Sequence, residues 1–357
     1  MIRSATLPPT TDPTPIFEVF RGNHATELLT AAVAHLGVFE RLAEGPVERE
    51  ALRDALGLAE RPFAVLTTAL RAFGLLTVEC DGRLAPTELA REHLVTGSGF
   101  DVGGYISLAA ESPGVVEMVE RLRSNRPAGQ DADGPGAAFI YREGLDSPME
   151  REASARHLTL ALAGRARNVA PVLTAKYPLD GARRLLDVGG GTGLYSIAWL
   201  QRHPRLSAVV WDRPEVLKVA REMAESFGVA DRLELISGDM FLDPVPGGAD
   251  VILLSNILHD WDVPDCRTLV KRCAGALAAG GRLLIHDVFL NDALDGPLPV
   301  ALYSAALFRL TEGRAYSAGE YRGWLADAGL SPGEVVPTLV HCGVLPAVQA
   351  GTGRPLG

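Results

Sequence analysis

The chain has 357 residues, which is enough for about two domains of ordinary size. Apolar side chains make up 47% of it, so a large hydrophobic core can form. With 34 basic and 44 acidic residues the net charge is −10, which argues against nucleic acid as a partner because a phosphate backbone would be repelled. Apolar runs such as Val251–Leu254 are far shorter than the ~18–20 residues that cross a bilayer, so we expect no membrane contact.

The N-terminus and the cysteines favour a cytoplasmic protein. Residues 1–15 contain four prolines and no apolar stretch typical of a secretory signal, so we predict a disordered tail there. Cys80, Cys266, Cys273 and Cys342 form no Cys-x-x-Cys pair, and we therefore expect neither a zinc site nor a redox motif. Four thiols in a chain of this length fit a reducing compartment.

The first domain is predicted over residues 16–105. Apolar residues spaced three and four apart indicate a helix from Ile16 to about Leu42, and Glu48–Leu56 and Pro62–Phe73 predict two more. Asp81-Gly82 between two short apolar runs predicts a tight β-hairpin, since such a turn needs a positive φ. Helices followed by a hairpin are typical of a winged helix.

A winged helix raises the alternative of a DNA-binding regulator. Residues 41–100 hold seven arginines, no lysine and nine acidic residues, a net charge of −2. A winged helix that reads DNA usually presents a basic face. The charge therefore favours a helical module for dimerisation.

The pattern changes after residue 105. Residues 106–180 are predicted to be a mainly helical connecting and substrate-capping region, with a loop at 128–137 and a helix over Glu150–Leu173. Over residues 181–350, apolar runs alternate with helical segments, which predicts an α/β domain with a mostly parallel sheet. The predicted strands are Leu185–Val188, Ser207–Trp211, Leu233–Ile236, Asp250–Ser255 and Arg282–Phe289.

A glycine-rich turn follows the first of these strands. Asp187 ends the strand, and Gly189, Gly191 and Gly193 alternate before the next helix. Glycines permit a tight turn and let a ligand approach the N–H groups at the start of a helix. The spacing does not match the dinucleotide pattern Gly-x-Gly-x-x-Gly. It is similar to the first motif of methyltransferases that use S-adenosyl-L-methionine (SAM).

Further acidic residues fall at the ends of the next two strands. Asp212 lies 19 residues after Gly193, where a carboxylate can accept hydrogen bonds from both ribose hydroxyls of a nucleoside. Asp239 can meet an adenine amino group while Met240, followed by Phe241, packs on the ring. One such Asp is equally often a helix cap. Three in register after a glycine turn favour a nucleoside site.

The fourth strand leads into Ser255 and then into His259-Asp260-Trp261. Open parallel sheets bind ligands at the carboxyl ends of their strands. A neutral imidazole accepts a proton near pH 7, which suits deprotonation of a phenol. We therefore predict that His259 is a general base.

The whole chain, over about residues 16–350, resembles the SAM-dependent small-molecule O-methyltransferases, which include plant caffeic-acid-type and bacterial antibiotic-pathway enzymes. The resemblance rests on four blocks, Leu186–Gly193, Gly238–Phe241, His259–Asp262 and Gly280–Ile285. It implies a seven-stranded Rossmann-like domain, an N-terminal winged-helix-like domain that forms a homodimer, SAM as cofactor with S-adenosyl-L-homocysteine as product, and no metal. The cofactor residues that follow from this resemblance and from the strand-end positions are Asp187, Gly189, Gly191, Asp212, Asp239, Met240, Phe241, Ser255, Asp260 and Trp261.

The chain departs from the plant pattern at several positions. Plant members orient the base with two carboxylates, of which the first corresponds to Asp287. The second position falls on Ala315, and Glu312 three residues earlier is the candidate substitute. A lysine near the adenine in plant enzymes corresponds to Ser255. The substrate is therefore expected to differ from a plant phenylpropanoid.

The predicted function is methyl transfer from SAM to a phenolic hydroxyl of a small aromatic, acid-bearing intermediate. Apolar walls of the substrate pocket are expected from Leu158, Leu162, Tyr303, Leu307 and Phe308. Arg21 and His24 are candidates for reaching the pocket of a partner subunit, where an arginine can hold a carboxylate. C-methylation on the same scaffold, and SAM binding without methyl transfer, remain as alternatives.

Overall fold

A computed structural model describes residues 2–126 and 152–349. It divides into two compact units. The sheet unit consists of Met1–Phe17, Phe139–Phe289 and Tyr316–Gly357, and the helical unit consists of Glu18–Ala138 and Leu290–Ala315. The second segment of the helical unit thus comes from the stretch that the prediction assigned to the domain at 181–350. The predicted loop at 128–137 lies outside the described residues.

The tail at residues 2–15 makes specific contacts within the sheet unit. The backbone N–H of Ala5 donates to Oε1 of Gln201 at 2.7 Å, and Ala5 is buried in the core. The N–H of Val340 donates to Oγ1 of Thr14 at 3.2 Å. These contacts give the proline-rich segment an ordered path that its composition did not indicate.

The N-terminal part of the chain is helical. Its single predicted helix over 16–42 is interrupted by 3-10 and π turns at Gly22–His24 and Ala31–His35, and by Gly37 with a left-handed φ of 57°. The helices are α1 Thr14–Arg21, α2 Ala25–Thr30, α3 Val38–Arg41, α4 Arg49–Leu56, α5 Glu60–Ala72, α6 Glu88–Leu94, α7 Gly103–Ile106 and α8 Pro113–Ser124.

The predicted hairpin is present between β1 (Leu76–Val78) and β2 (Leu84–Pro86). Gly82 has a φ of 88°, as expected, but Val78 pairs with Leu84, so five residues connect the strands where a tight turn was expected. The later helix α13 (Leu298–Leu310) joins the same unit. Arg61 on α5 holds the C-terminal end of α13, because its Nη1 donates to the carbonyl oxygen of Thr311 at 2.9 Å.

The sheet unit contains the α/β fold expected from the alternating pattern. Its main sheet has the strand order β10-β11-β7-β6-β3-β4-β5. The five strands β3, β4, β5, β6 and β7 are parallel, whereas β11 pairs antiparallel with β7 and β10 antiparallel with β11. This path has the seven strands expected, and the short strands β8 and β9 pair with β7 and β11. The strands are β3 Arg184–Val188, β4 Ser207–Asp212, β5 Leu233–Ser237, β6 Ala249–Ser255, β7 Leu277–Leu290, β8 Tyr316–Ser317, β9 Leu330–Pro332, β10 Val336–Pro337 and β11 Cys342–Gln349.

Helices cover both faces of this sheet, and each face has its own apolar core. One core contains Trp199 and Val210, and the other contains Trp211 and Leu325. The helices are α9 Glu152–Lys176, α10 Leu194–Arg202, α11 Pro214–Ser226, α12 Val263–Ala276 and α14 Ala318–Asp327. Across the described residues, no helix is both long and apolar enough to cross a membrane. Because the central strands are parallel, their carboxyl ends meet at one edge.

Candidate active site

A cavity of about 220 Å³ lies at the carboxyl ends of the parallel strands in the sheet unit. Its walls come from the glycine turn, from the ends of β4, β5 and β6, and from α9. All ten residues predicted to bind the cofactor line it, namely Asp187, Gly189, Gly191, Asp212, Asp239, Met240, Phe241, Ser255, Asp260 and Trp261. The topology thus gathers four separate sequence segments at one place.

The glycines of the turn have distinct roles. Gly189, Gly191 and Gly193 have left-handed φ values of 62°, 58° and 70°. A Cβ on Gly189 would lie 2.6 Å from Cδ1 of Ile257, whereas a Cβ on Gly191 would meet no protein atom within 4 Å. Gly189 is therefore needed for packing, and Gly191 leaves open space beside the backbone inside the cavity.

Asp212 and Asp239 are both held by backbone donors. Asp212 accepts from the N–H of Gly191 at 2.8 Å and from that of Arg213 at 2.7 Å, while burial raises the pKa of its carboxyl. Asp239 accepts from the N–H of Phe241 at 2.8 Å, and one oxygen lies 3.3 Å from Nη2 of Arg213. Both carboxylates also line the cavity, so a capping role and a ligand role are compatible.

Several buried polar atoms of the cavity have no hydrogen-bond partner in the described part of the chain. They are Oδ1 of Asp187, the hydroxyl of Tyr195, Oδ1 of Asn256 and Oγ1 of Thr159. The other oxygen of Asp187 accepts from Ser196 at 2.7 Å. Buried polar atoms are costly unless they are paired, so the cavity is suited to a polar ligand that supplies the missing partners. Burial raises the pKa of Asp187 to about 7.

His259 forms a buried pair with Asp287. It lies in the 3-10 turn Leu258–Asp260 after β6, and its Nδ1 is 2.5 Å from Oδ1 of Asp287 on β7. Burial opposes ionisation of Asp287, but the charge of His259 and its hydrogen bond hold the pKa of that carboxyl below its ordinary value. An ionised carboxylate only accepts hydrogen bonds, so Nδ1 carries the proton and Nε2 can accept one.

The remaining neighbours of this pair are also buried. Nε2 of His259 is 3.6 Å from Oδ1 of Asp260, whose pKa is raised to about 6 by burial. Nδ1 of His286 is 2.8 Å from Oγ of Ser255, and burial lowers the pKa of His286 to about 3, so this imidazole is neutral. Within the described ranges, no group of three His, Cys, Asp or Glu side chains is arranged to hold a metal ion.

The predicted substrate residues are divided between the two units. In the sheet unit, Leu162 lines the cavity, whereas Leu158 on the same helix is half-buried and is not among the residues lining it. The other candidates, Arg21, His24, Tyr303, Leu307, Phe308 and Glu312, belong to the helical unit.

Within the helical unit, Phe308 is fully buried in the apolar core and Leu307 is 5% exposed. The burial of both side chains indicates that they contribute to the hydrophobic core of this unit. The guanidinium of Arg21 stacks 3.8 Å from the ring centre of Tyr303, and Nδ1 of His24 is 2.5 Å from Oε2 of Glu27. Glu312 is half-buried in the segment after α13.

Several polar residues at the site were not among the sequence candidates. Arg165, Tyr195 and Asn256 line the cavity, and Tyr321 donates from its hydroxyl to Oδ2 of Asp287 at 3.1 Å. Tyr195 lies in the first turn of α10, after the glycine turn, and Asn256 directly follows Ser255. Both could therefore have been predicted from their position next to a recognised motif. Arg165 and Tyr321 lie on helices without a distinguishing pattern.

Comparisons with known proteins agree with this geometry. A family profile described as an O-methyltransferase domain matches residues 140–331. The chain is 37% identical over 330 residues to a 3-hydroxy-5-methyl-1-naphthoate 3-O-methyltransferase of Streptomyces sahachiroi, covering 92% of each chain. This chain belongs to the O-methyltransferase family.

As a member of this family, the protein is a SAM-dependent methyltransferase. A solved structure of an O-methyltransferase family 2 protein from Planctomyces limnophilus, in complex with apigenin, is 50% identical, with a TM-score of 0.87, and the match covers 98% of this chain and 99% of that one. The methyltransferase is also 29% identical over 317 residues to an L-tyrosine C(3)-methyltransferase of Streptomyces lavendulae, covering 87% of this chain and 85% of the relative.

Proposed function

We propose that this methyltransferase acts on a phenolic hydroxyl of a small aromatic molecule, with His259 as the general base and Asp287 as the group that orients it. The observation that carries the proposal is the 2.5 Å contact between Nδ1 of His259 and Oδ1 of Asp287, beside the cavity that gathers the cofactor motifs. This contact assigns the proton to Nδ1 and leaves Nε2 as the acceptor.

The cavity supports the proposed roles of the cofactor residues. Asp212, at the end of β4, would accept from the ribose hydroxyls, and Asp239 with Met240 and Phe241, just beyond β5, would bind the adenine. Ser255 ends β6, which is separated from β5 by β3 and β4, so we assign it to the methionine part of the cofactor rather than to the adenine.

Three further polar residues of the cavity suit the charged methionine tail. They are Arg165, Tyr195 and Asn256. We assign the half-buried Arg165 to the carboxylate of the cofactor and the unpaired, buried Oδ1 of Asp187 to its ammonium group, because each pairs opposite charges. Bound SAM supplies an electrophilic methyl group on a sulfonium.

The reaction requires His259 to take the phenolic proton as the phenol oxygen accepts the methyl group. Nε2 receives the proton, and Asp287 stabilises the imidazolium that results. Asp260 lies 3.6 Å from that nitrogen and adds a second acidic group beside it. A positioned base of this kind contributes about 10²–10⁴-fold to the rate.

We propose that the substrate carries a carboxylate, as the naphthoate of the Streptomyces sahachiroi relative does by name. Arg21, stacked on Tyr303, is the candidate cation for it, and Glu312 is the candidate second acid for the base. The test is a panel of hydroxylated aromatic acids and matched phenols without the acid, incubated with SAM and read by mass for the gain of one methyl. Preference for the acids should fall in Arg21→Gln, whereas equal turnover of acid and matched phenol would contradict the carboxylate.

C-methylation is the second candidate, because an L-tyrosine C(3)-methyltransferase is among the relatives. The same base would then generate a phenolate that attacks through carbon. The two products differ in the NMR shift of the new methyl group, since O-methyl and C-methyl protons are well separated. An O-methyl signal alone would eliminate the second candidate.

We also propose that the protein is a cytoplasmic homodimer that associates through its N-terminal helices. Large apolar side chains are exposed in the helical unit, including Phe20, Tyr105 and Leu108, which are 78%, 80% and 81% exposed. Exposed apolar residues of this size favour a protein interface. All four cysteines are free thiols, which supports the assignment to a reducing compartment.

A further inference from the structure

The carboxylate of Asp287 has a third donor besides His259 and the N–H of Val288. The hydroxyl of Tyr321 on α14 donates to Oδ2 at 3.1 Å, whereas His259 and Val288 both donate to Oδ1. Both oxygens are therefore held, one by the base and the other by a phenol. All of these groups are buried, and the exposed fraction of Tyr321 is 0%.

Tyr321 itself is held rigidly. Its ring packs at right angles against Trp324, with 5.2 Å between ring centres, and also against Tyr316 and Phe289. The helix that carries it starts with a capping box, in which Ser317 and Glu320 bond reciprocally. The position of the hydroxyl is therefore determined by the aromatic cluster and by the start of α14.

We propose that Tyr321 is a positioning residue for methyl transfer, which fixes the rotamer of Asp287 and lowers the basicity that this carboxylate presents to His259. The proposal rests on the assignment of His259 as the base. A hydrogen bond to one carboxylate oxygen withdraws charge from the other. Tyr321 thus acts on the base only through Asp287, and it adds no negative charge beside it.

The direction of its effect on the base follows from this arrangement. Without the hydroxyl, Asp287 becomes a stronger acceptor, stabilises the imidazolium of His259 more strongly, and raises the pKa of His259. The base is then protonated at higher pH, so the acidic limb of the kcat profile moves upward. The other titratable or charged groups around the pair are Asp260, Arg165, His286, Cys266 and Tyr316. None of these residues is changed in the Tyr321 variants.

The test compares Tyr321→Phe with Tyr316→Phe. Tyr316 is a matched control because it is equally buried and lies in the same aromatic cluster, but its hydroxyl donates to the carbonyl oxygen of Trp261 at 2.6 Å. We expect Tyr321→Phe to lower kcat about tenfold on the acidic limb of the profile, because loss of one hydrogen bond to a charged group leaves more of His259 protonated there. The KM for the phenol and the affinity for SAM should not change. The pKa of His259, read by NMR of the ring nitrogens, should rise in Tyr321→Phe and stay at the wild-type value in Tyr316→Phe.

A second variant keeps the test decisive if the loss of a buried hydroxyl disturbs folding. Tyr321→3-fluorotyrosine preserves the ring and strengthens the O–H donor, so the pKa of His259 should fall. An unchanged pKa of His259 in both Tyr321 variants would overturn the proposal. The assignment of the base is tested separately by His259→Ala, since wild-type turnover in that variant would contradict the base without involving Tyr321.

Discussion

The backbone N–H of Gly191 donates to Oδ2 of Asp212 at 2.8 Å, which ties the glycine turn after β3 to the end of β4. The two strands are adjacent and parallel, with Val188 paired to Trp211. The hydrogen bond therefore joins two motifs that are 21 residues apart in the chain. It connects two of the segments that line the cavity.

Removal of the Asp212 carboxylate should weaken cofactor binding. In Asp212→Ala, the ribose hydroxyls lose their acceptor and the Gly191 N–H loses its partner, so the affinity for SAM should fall by about 1–3 kcal/mol. Asp231→Ala removes an exposed carboxylate on the loop before β5 and serves as the control. Unchanged affinity of the Asp212 variant in calorimetry would remove this residue from the site.

Gly191 should be required for binding rather than for folding. In Gly191→Ala the added methyl meets no protein atom within 4 Å and projects into the cavity, at a strain cost of about 1–2 kcal/mol for a left-handed φ of 58°. Gly181→Ala is the matched control, since Gly181 has a φ of 80° and equally open surroundings. The two variants should melt alike, and only the Gly191 variant should lose SAM binding. Wild-type affinity for SAM in Gly191→Ala would contradict the proposal that Gly191 lies against the bound cofactor.

SAM binding should tighten as the pH rises through about 7. Burial raises the pKa of Asp187 to about 7 from an ordinary value of 3.8, so this carboxyl is largely protonated at pH 6 without ligand. A cationic ligand pairs only with the ionised form. We expect about tenfold tighter binding at pH 8 than at pH 6, with release of a proton on binding.

The same linkage sets the stability of the ligand-free protein. Because the folded pKa of Asp187 is above the unfolded value, its contribution to the free energy of unfolding should decrease as the pH rises from about 4 to about 7. Asp260, whose pKa is raised to about 6, acts in the same direction, and His286, whose pKa is lowered to about 3, acts in the opposite direction. Asp187→Asn should therefore remove most of the pH dependence of SAM binding but only its own part of the pH dependence of stability. Calorimetry in two buffers of different ionisation enthalpy measures the proton released on SAM binding. If the affinity of the wild type for SAM did not depend on pH, Asp187 would be excluded as the partner of the ammonium group.

The helical unit should mediate a dimer. We expect light scattering to give about twice the chain mass of 37.9 kDa at micromolar concentration. Tyr105→Ser combined with Leu108→Glu should shift the protein toward the monomer, since both side chains are highly exposed. Leu89→Glu, at a 53% exposed position on α6, is the control. A wild-type monomer would contradict the dimer.

The strand-end residues were predictable because each followed a short apolar run. Asp187 is the penultimate residue of β3, Asp212 is the last residue of β4, and Asp239 lies just beyond β5. Parallel strands bring these ends together regardless of how the helices pack. The interruption of the first helix at Gly37 depends on a left-handed residue, which local periodicity does not report.

The helical contributions to the site could not be predicted in the same way. Tyr321 reaches Asp287 over 34 residues of chain, and its direction depends on packing against Trp324 and Phe289. Arg165 is one of several arginines on α9, and only the structure shows which of them lines the cavity. Such contacts are set by tertiary packing, for which the sequence carries no short-range signal.

The most direct test of the account is single-turnover methyl transfer by His259→Ala. The variant should bind SAM nearly as tightly as the wild type, because the cofactor residues are intact. Its rate at neutral pH should be about 10²–10⁴-fold lower, and the deficit should shrink at high pH, where the phenol ionises without a base. Near wild-type turnover at pH 7 would contradict the account, because the phenolic proton would then leave without His259.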